Sequence, residues 1–383
     1  MHDYIHRNKE DFLLLNLQTF PAIVILGSRQ CGKSTLAKQV SGSLKEFLYL
    51  DLQNYTDVAR LADLNLFFKS NADRTICIDE VQLMPDLFSF LRSEIDSNRR
   101  NGRFILLGSA SRDLIQKTSE TLAGRVGLIY LTPFTFDELA DMPGFSVQKH
   151  WFRGGYPDSY LSITDETSSL WRENFIKTYI ERDIPQLGIQ IPSLQFRRFL
   201  AMLSHWHGQV LNLSKIGESL GISHTTVRRY IDLLEQTFVV RTLPVYETNQ
   251  KKRLVKSPKF YFRDSGLLHQ LHSIQDFNNL LSHQVIGASW EGYVIENILA
   301  RYPDYAASFY RSASGEEVDI VLENHEMRIV VECKVSSAPD PSKGFWRAID
   351  AVKPNMSFIV IPTEADYQLA ENVRVVGLNK LNI

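Results

Sequence analysis

The sequence predicts an α/β protein of three domains, 1–165, 166–275 and 276–383, in which the first and last are each organised around a β-sheet. Three observations lead to this reading. The chain has 383 residues, more than one core of about 150 residues accommodates. Between Pro21 and Phe134, short apolar runs of β character alternate with longer helical stretches. A second such pattern begins at Gly287, after a segment from Phe196 to Arg263 that is helical first and strand-like later.

The first domain carries five strand candidates, Ala22–Leu26, Phe47–Leu50, Thr75–Ile78, Phe104–Leu107 and Leu128–Leu131. Each is almost continuously apolar, which predicts a parallel sheet covered by helices on both faces. A turn-rich junction, Gly154-Gly155-Tyr156-Pro157, precedes an amphipathic helix over Ser168–Leu187 that carries Trp171, Phe175, Tyr179 and Ile180. The first boundary is therefore set near residue 165.

Hydrophobic residues make up 44% and charged residues 22% of the chain, the balance of a soluble globular protein. No run of about 18 apolar residues occurs, and the N-terminal residues lack a basic-then-apolar signal pattern. The cysteines Cys31, Cys77 and Cys333 are far apart, with no metal-ligand spacing. The expectation is a cytoplasmic protein that does not span a membrane. A net charge of −2 gives no global attraction to nucleic acid, so any such contact would rest on local basic patches.

The run Ala22–Leu26 delivers the chain into Gly27-Ser28-Arg29-Gln30-Cys31-Gly32-Lys33-Ser34, followed by Thr35. This fits G-x-x-x-x-G-K-[ST] at every fixed position, between a strand and a helix. Gly27 and Gly32 permit backbone angles that turn successive N–H groups inward, and the next helix presents its positive end to phosphates. Lys33 is expected to reach the β and γ phosphates of ATP, and the Ser34 hydroxyl to ligate Mg²⁺, with Thr35 a helix residue beside it. The strand Thr75–Ile78 ends in Asp79-Glu80, which places two carboxylates at the carboxyl edge of the sheet. Asp79 is expected to hold Mg²⁺ and Glu80 to polarise the attacking water.

The stretches GSRQCGKST, ICIDEVQ, LLGSAS, TLAGRV, FRGGYPDSYL and YIERDIPQL together resemble a large bacterial and archaeal family of AAA+-type ATPases with a nuclease-like C-terminal domain of unknown function. The resemblance covers nearly the whole chain and implies a P-loop NTPase domain of AAA+-like type. It gives Ser109 or Ser111, after the strand Phe104–Leu107, the place of a sensor of the γ-phosphate. Both serines have the alternative of turn and helix-cap residues. Arg125 offers a guanidinium for transition-state charge in a neighbouring subunit of a homo-oligomer; its alternative is a surface salt bridge.

In the middle region, Leu213–Leu220 reads as a helix stopped at Gly221, and Ser223 caps a second helix, His224–Gln236. Strand-like Phe238–Leu243 and Lys259–Phe262 follow, so the module resembles a winged helix. From Arg241 to Arg263 there are seven Lys or Arg against one Glu, and the second helix displays His224, Thr225, Thr226, Arg228 and Arg229. DNA contact through these groups is one reading. A lid or subunit-contact module is the other.

In the last domain, Glu317–Leu322 and Arg328–Lys334 form a hairpin joined at Glu323–Met327. With the turn centred between His325 and Glu326, Asp319 lies opposite Glu332, and Lys334 shares Glu332's face. Glu291, on an upstream helix, adds a carboxylate. The D-x12-E-x-K pattern resembles the PD-(D/E)xK core of an α/β restriction-endonuclease-like fold. That resemblance implies Mg²⁺ on Asp319 and Glu332, with Lys334 positioning water. The chain is thus expected to be an ATPase coupled to DNA processing; the alternative is a nucleotide-controlled switch or assembly platform whose nuclease-like domain has no cleavage chemistry.

Overall fold

The computed structural model describes residues 4–109, 121–186, 191–247 and 256–383. Two compact units emerge: 1–134 with 236–238, and 135–235 with 239–383. In the first unit, strands β1 (Ala22–Gly27), β2 (Phe47–Asp51), β3 (Thr75–Asp79), β4 (Phe104–Ser109) and β5 (Val126–Leu131) form one sheet in the order β2-β3-β4-β1-β5. Every pairing is parallel. Because side chains alternate along a strand, Ala22, Val24 and Leu26 pack with Phe68, Phe88 and Leu91. Ile23 and Ile25 pack with Leu13, Leu17 and Leu36 on the other face. Both faces of the inner strands β1, β3 and β4 are covered, which is why they carry no polar alternation, whereas Leu128 and Tyr130 of the edge strand β5 are exposed.

The second unit begins with helices that share one core with the C-terminal sheet; the rings of Trp151 and Trp290 lie 5.0 Å apart within it. The helix expected at Ser168 starts at Asp165, because Thr164 accepts the Thr167 N–H at 3.2 Å and two acidic residues follow in the first turn. It runs to Phe175 and continues as a π-helix over Ile176–Asp183. Helices Leu213–Leu220 and His224–Gln236 meet at a glycine turn. A Cβ on Gly217 would stand 2.5 Å from the Ile222 carbonyl oxygen, so the close approach of helix and turn requires glycine there. Strands β6 (Gln209–Val210), β7 (Val240–Leu243) and β8 (Lys259–Phe262) form a small antiparallel sheet in the order β6-β8-β7.

Strands β9 (Ala306–Arg311), β10 (Glu317–Glu323), β11 (Arg328–Cys333), β12 (Met356–Ile361), β13 (Asp366–Ala370) and β14 (Val373–Gly377) form a mixed sheet in the order β13-β14-β12-β11-β10-β9. Trp290 and Val294 of helix Ile286–Arg301 pack with Ile320, Leu322 and Val331. Phe345 and Ala348 of helix Lys343–Val352 pack with Val318, Val321 and Val330. The β10–β11 loop is four residues long, and Asn324 closes it by accepting the N–H groups of Glu326 and Met327 at 2.9 and 2.8 Å.

Candidate functional site

Strand β1 ends at Gly27, where a Cβ would stand 2.3 Å from the Leu131 carbonyl oxygen. The loop then passes through Gln30 (φ 61°) and Gly32 (φ 102°), left-handed conformations that turn backbone N–H groups into an anion-binding concavity. Helix Lys33–Val40 starts directly after it. The Lys33 ammonium is buried and donates to the carbonyl oxygens of Gly27 and Ser28 at 3.1 and 2.8 Å. The Ser28 hydroxyl is buried and has no hydrogen-bond partner among the described residues. A cation held by two carbonyl dipoles beside an orphaned hydroxyl suits a phosphate ligand, so the loop fits a nucleotide.

Ser34 Oγ donates to Asp79 Oδ2 at 2.5 Å, and the Glu80 N–H donates to Asp79 Oδ1 at 2.8 Å. The Tyr49 hydroxyl, from β2, also donates to Asp79 Oδ2. Burial, followed by the hydrogen bond and charge of Asp79, pushes the Tyr49 phenol well above its ordinary range, so it stays a donor. Glu80 adopts φ 54°, a left-handed conformation costly for a side-chain-bearing residue, and its carboxylate accepts from Gln82 Nε2. Ser34 and Asp79 together suit Mg²⁺, a hard cation that takes oxygen ligands.

Ser109 stands beside Gly27 in the β1–β4 register; its side chain, like Ser111, lies outside the described residues. Arg125 is at the other edge of the sheet. Its carbonyl accepts the Ala22 N–H at 3.2 Å, the full length of β1 from the loop, or about 20 Å. Its guanidinium pairs with Asp96 through Nε and Nη2 at 2.6 and 2.9 Å. Arg125 therefore has no contact with the loop of its own chain.

The basic run Arg241–Arg263 needs a correction. Arg241 and Arg263 both pair with Glu296, and Lys259 is buried, so three of its seven cations are internal. Lys256 is exposed, while Lys251, Lys252 and Arg253 lie outside the described residues. On helix His224–Gln236, His224, Thr225, Arg228 and Arg229 are exposed and Thr226 is half-buried, with Arg228 held by Asp232 at 2.9 Å.

Strands β10 and β11 pair Ile320 with Val331, and the same register carried one step further sets Asp319 beside Glu332. Asp319 Oδ2 accepts the Cys333 N–H at 2.9 Å, and Lys334 Nζ lies 2.6 Å from Glu332 Oε1. The other Glu332 oxygen is buried and has no hydrogen-bond partner among the described residues. Burial first, and then the Asp319 charge, push the Glu291 and Glu332 carboxyls above their ordinary range. Lys259 Nζ stands among these groups, 2.9 Å from Glu291, 2.7 Å from Glu317 and 3.4 Å from Asp319, while the Tyr261 hydroxyl donates to Glu291. Among the described residues, no group of three or more His, Cys, Asp and Glu side chains is arranged to hold a metal ion.

Arg7, Tyr49, Gln82 and Tyr261 have no functional place in the sequence analysis, and Lys259 figures there only as a strand end and in the basic run. Only Lys259 left a signal. A lone lysine beside Phe260-Tyr261-Phe262 is the pattern of a charge carried into a core, where it must be paired.

The strand–loop–helix with Lys33 and the Asp79 edge define a P-loop nucleotide site, and residues 19–140 match the AAA domain. Residues 144–278 and 286–381 each match a domain of unknown function (DUF8612 and DUF4143). The chain belongs to a P-loop ATPase family shared with an uncharacterized protein of Mycobacterium tuberculosis. The two are 38% identical over 365 residues, 95% of this chain and 82% of the relative. An uncharacterized protein of Haemophilus influenzae is 23% identical over 275 residues, covering 64% of this chain and 67% of its own. Among solved structures, the chain is similar to the Walker-type ATPase of Pyrococcus abyssi, with 16% identity, a TM-score of 0.45 and 70% and 96% of the two chains covered. It is also similar to RuvB of Thermotoga maritima, with 18% identity, a TM-score of 0.33 and 62% and 89% covered. No helix among the described residues is long and apolar enough to cross a membrane.

Proposed function

We propose that the chain hydrolyses ATP at Gly27–Ser34 and uses the turnover to control the remainder of the protein. The observation that carries this reading is the buried Lys33 ammonium, held by loop carbonyls next to the Ser34–Asp79 pair. Lys33 and the loop N–H groups bind and orient the phosphates. Bound Mg²⁺, held by Ser34 and Asp79, would neutralise phosphate charge. Glu80 takes the proton of the attacking water once Gln82 releases its carboxylate. A Mg²⁺-dependent phosphate-release assay tests this; a folded preparation that neither binds nor hydrolyses ATP would sink it.

For the other modules, the helix pair ending in His224–Gln236 with the three-stranded sheet β6-β8-β7 supports a winged helix. The exposed His224, Thr225, Arg228 and Arg229 favour DNA as its partner. The domains 1–165, 166–275 and 276–383 remain the proposed functional division, with 135–165 packing in the second compact unit. Arg125 would act only across subunits of a homo-oligomer, after leaving Asp96. Mass measurement with ATP bound tests that role, and a monomer argues against it.

A second reading is favoured by Lys259. Its ammonium stands among Glu291, Glu317 and Asp319, where a nuclease would need a divalent cation. That supports a nuclease-derived platform without cleavage chemistry. A Mg²⁺-dependent cleavage assay on DNA and RNA divides the two readings, since cutting by wild type that is lost in Asp319→Ala would support a nuclease site at Asp319, with Glu332, Glu291 and Lys334 beside it, and no cutting would support the platform.

A further inference from the structure

We propose that Arg7 is a positioning residue for the phosphate loop, fixing the Cys31–Gly32 peptide so that the Gly32 N–H faces the phosphates of a bound nucleotide. The proposal rests on the nucleotide reading of Gly27–Ser34 and adds a residue from outside every motif.

Arg7 precedes helix Glu10–Thr19 and is 2% exposed. Its Nη1 donates to the Cys31 carbonyl oxygen at 2.9 Å and its Nη2 to the Thr132 carbonyl oxygen at 2.6 Å. The guanidinium carbon lies 5.0 Å from the centre of the Phe134 ring. Thr132 directly follows β5, the strand beside β1, so one planar group ties the loop to the edge of the sheet. The rigid fork of arginine makes two such bonds in a fixed geometry, which the single ammonium of lysine does not.

A trans peptide is planar, with its C=O and N–H pointing in opposite directions. Holding the Cys31 carbonyl toward Arg7 therefore holds the Gly32 N–H away from Arg7. Gly32 itself supplies no such restraint. Its φ of 102° is open to glycine and strained for other residues, and glycine moves between backbone wells at low cost. A Cβ on Gly32 would also stand 3.0 Å from Arg7 Nη1. The motif's glycine thus admits the guanidinium, and the guanidinium restrains the peptide that glycine leaves free.

The test uses the full chain with Arg7→Met, which removes both donors, and Arg7→Lys, which keeps the charge. Affinity for fluorescent mant-ADP and mant-ATP, KM and kcat for ATP, and the melting temperature are measured together. Arg7→Met is expected to weaken nucleotide binding about tenfold, with KM rising more than kcat falls. Arg7→Lys is expected to lose several-fold, because one ammonium cannot hold both carbonyls. A folded Arg7→Met protein with wild-type affinity overturns the proposal. If Arg7→Met does not fold, wild-type affinity in Arg7→Lys overturns it instead. Lys33→Ala is measured alongside. A folded wild-type protein that does not bind mant-nucleotides, or binds them no better than Lys33→Ala, overturns the nucleotide reading itself and the Arg7 role with it.

Discussion

Ser34 Oγ and Asp79 Oδ2 are 2.5 Å apart, a hydrogen bond between the first turn of the helix after the loop and the end of β3. The two residues are separated by 45 positions in sequence. They meet because β1 and β3 lie parallel in one sheet and both end at its carboxyl edge. We expect Asp79→Asn to retain nucleotide and to lose hydrolysis by about a hundredfold or more. Phosphate release and mant-ATP binding, measured on one preparation, separate the two effects.

Lys33→Ala and Glu80→Gln should fail differently. Lys33 is a buried cation at the loop, so its loss is expected to abolish nucleotide binding. Glu80→Gln keeps the side chain's shape but not its basicity, so binding should persist while turnover falls by about 10²–10⁴. Normal hydrolysis by Glu80→Gln would remove Glu80 from the role of base.

Tyr49 and Ser34 both donate to Asp79 Oδ2. If Ser34 ligates Mg²⁺ as proposed, Tyr49 would still orient the carboxylate. Tyr49→Phe is expected to raise the Mg²⁺ concentration for half-maximal hydrolysis about tenfold, the usual scale for a residue that orients a metal ligand. A Mg²⁺ titration at saturating ATP reads the shift, and an unaltered midpoint would show that Tyr49 only packs.

Lys259 is 2% exposed and faces three carboxylates. Glu317 also pairs with Arg311, but Lys259→Met leaves Glu291 and Asp319 buried without this cation, at an expected cost of about 3–5 kcal/mol in unfolding free energy. Denaturant titration measures it. Adding Glu291→Gln should recover part of the loss, because one of the stranded charges is then gone.

His269 is fully enclosed, with Nδ1 2.9 Å from the Phe152 carbonyl oxygen and Nε2 2.7 Å from Ser289 Oγ. Burial depresses its pKa to about 3, against about 6.5 for a free histidine. A carbonyl only accepts, so Nδ1 carries the proton and Nε2 accepts from Ser289, which leaves the neutral ring satisfied. Below pH of about 6.5 the unfolded chain protonates this histidine and the folded one does not. Its stabilising contribution is therefore complete above about 6.5 and falls by about 1.4 kcal/mol per pH unit toward pH 3. The stability advantage of wild type over His269→Gln should shrink at that rate on acidification; a gap that does not vary with pH would contradict the assignment.

The phosphate loop was legible because its chemistry is local. Glycines, a lysine and a serine at fixed spacing between a strand and a helix specify the backbone whatever surrounds them. The inner strands of the first sheet were legible for a related reason, since burial on both faces leaves an unbroken apolar run. Arg241, Lys259 and Arg263 were misread for the opposite reason. A run of basic residues looks alike whether it faces solvent or core, and only Glu296 and the carboxylate cluster show that these three are paired internally.

From the sequence alone come the α/β class, the Gly27–Ser34 loop, the Asp79-Glu80 strand end and the hairpin that sets Asp319 beside Glu332. Each depends on spacing within one element or between two consecutive ones, where backbone geometry converts residue number directly into position. Tertiary structure alone decided that Arg7 holds the loop, that Tyr49 shares Asp79 with Ser34, that Arg125 pairs with Asp96 and that Lys259 enters the carboxylate cluster. These contacts join residues 24 to 60 positions apart. Their partners are fixed by how sheets and helices pack, and no local pattern in the chain records that packing.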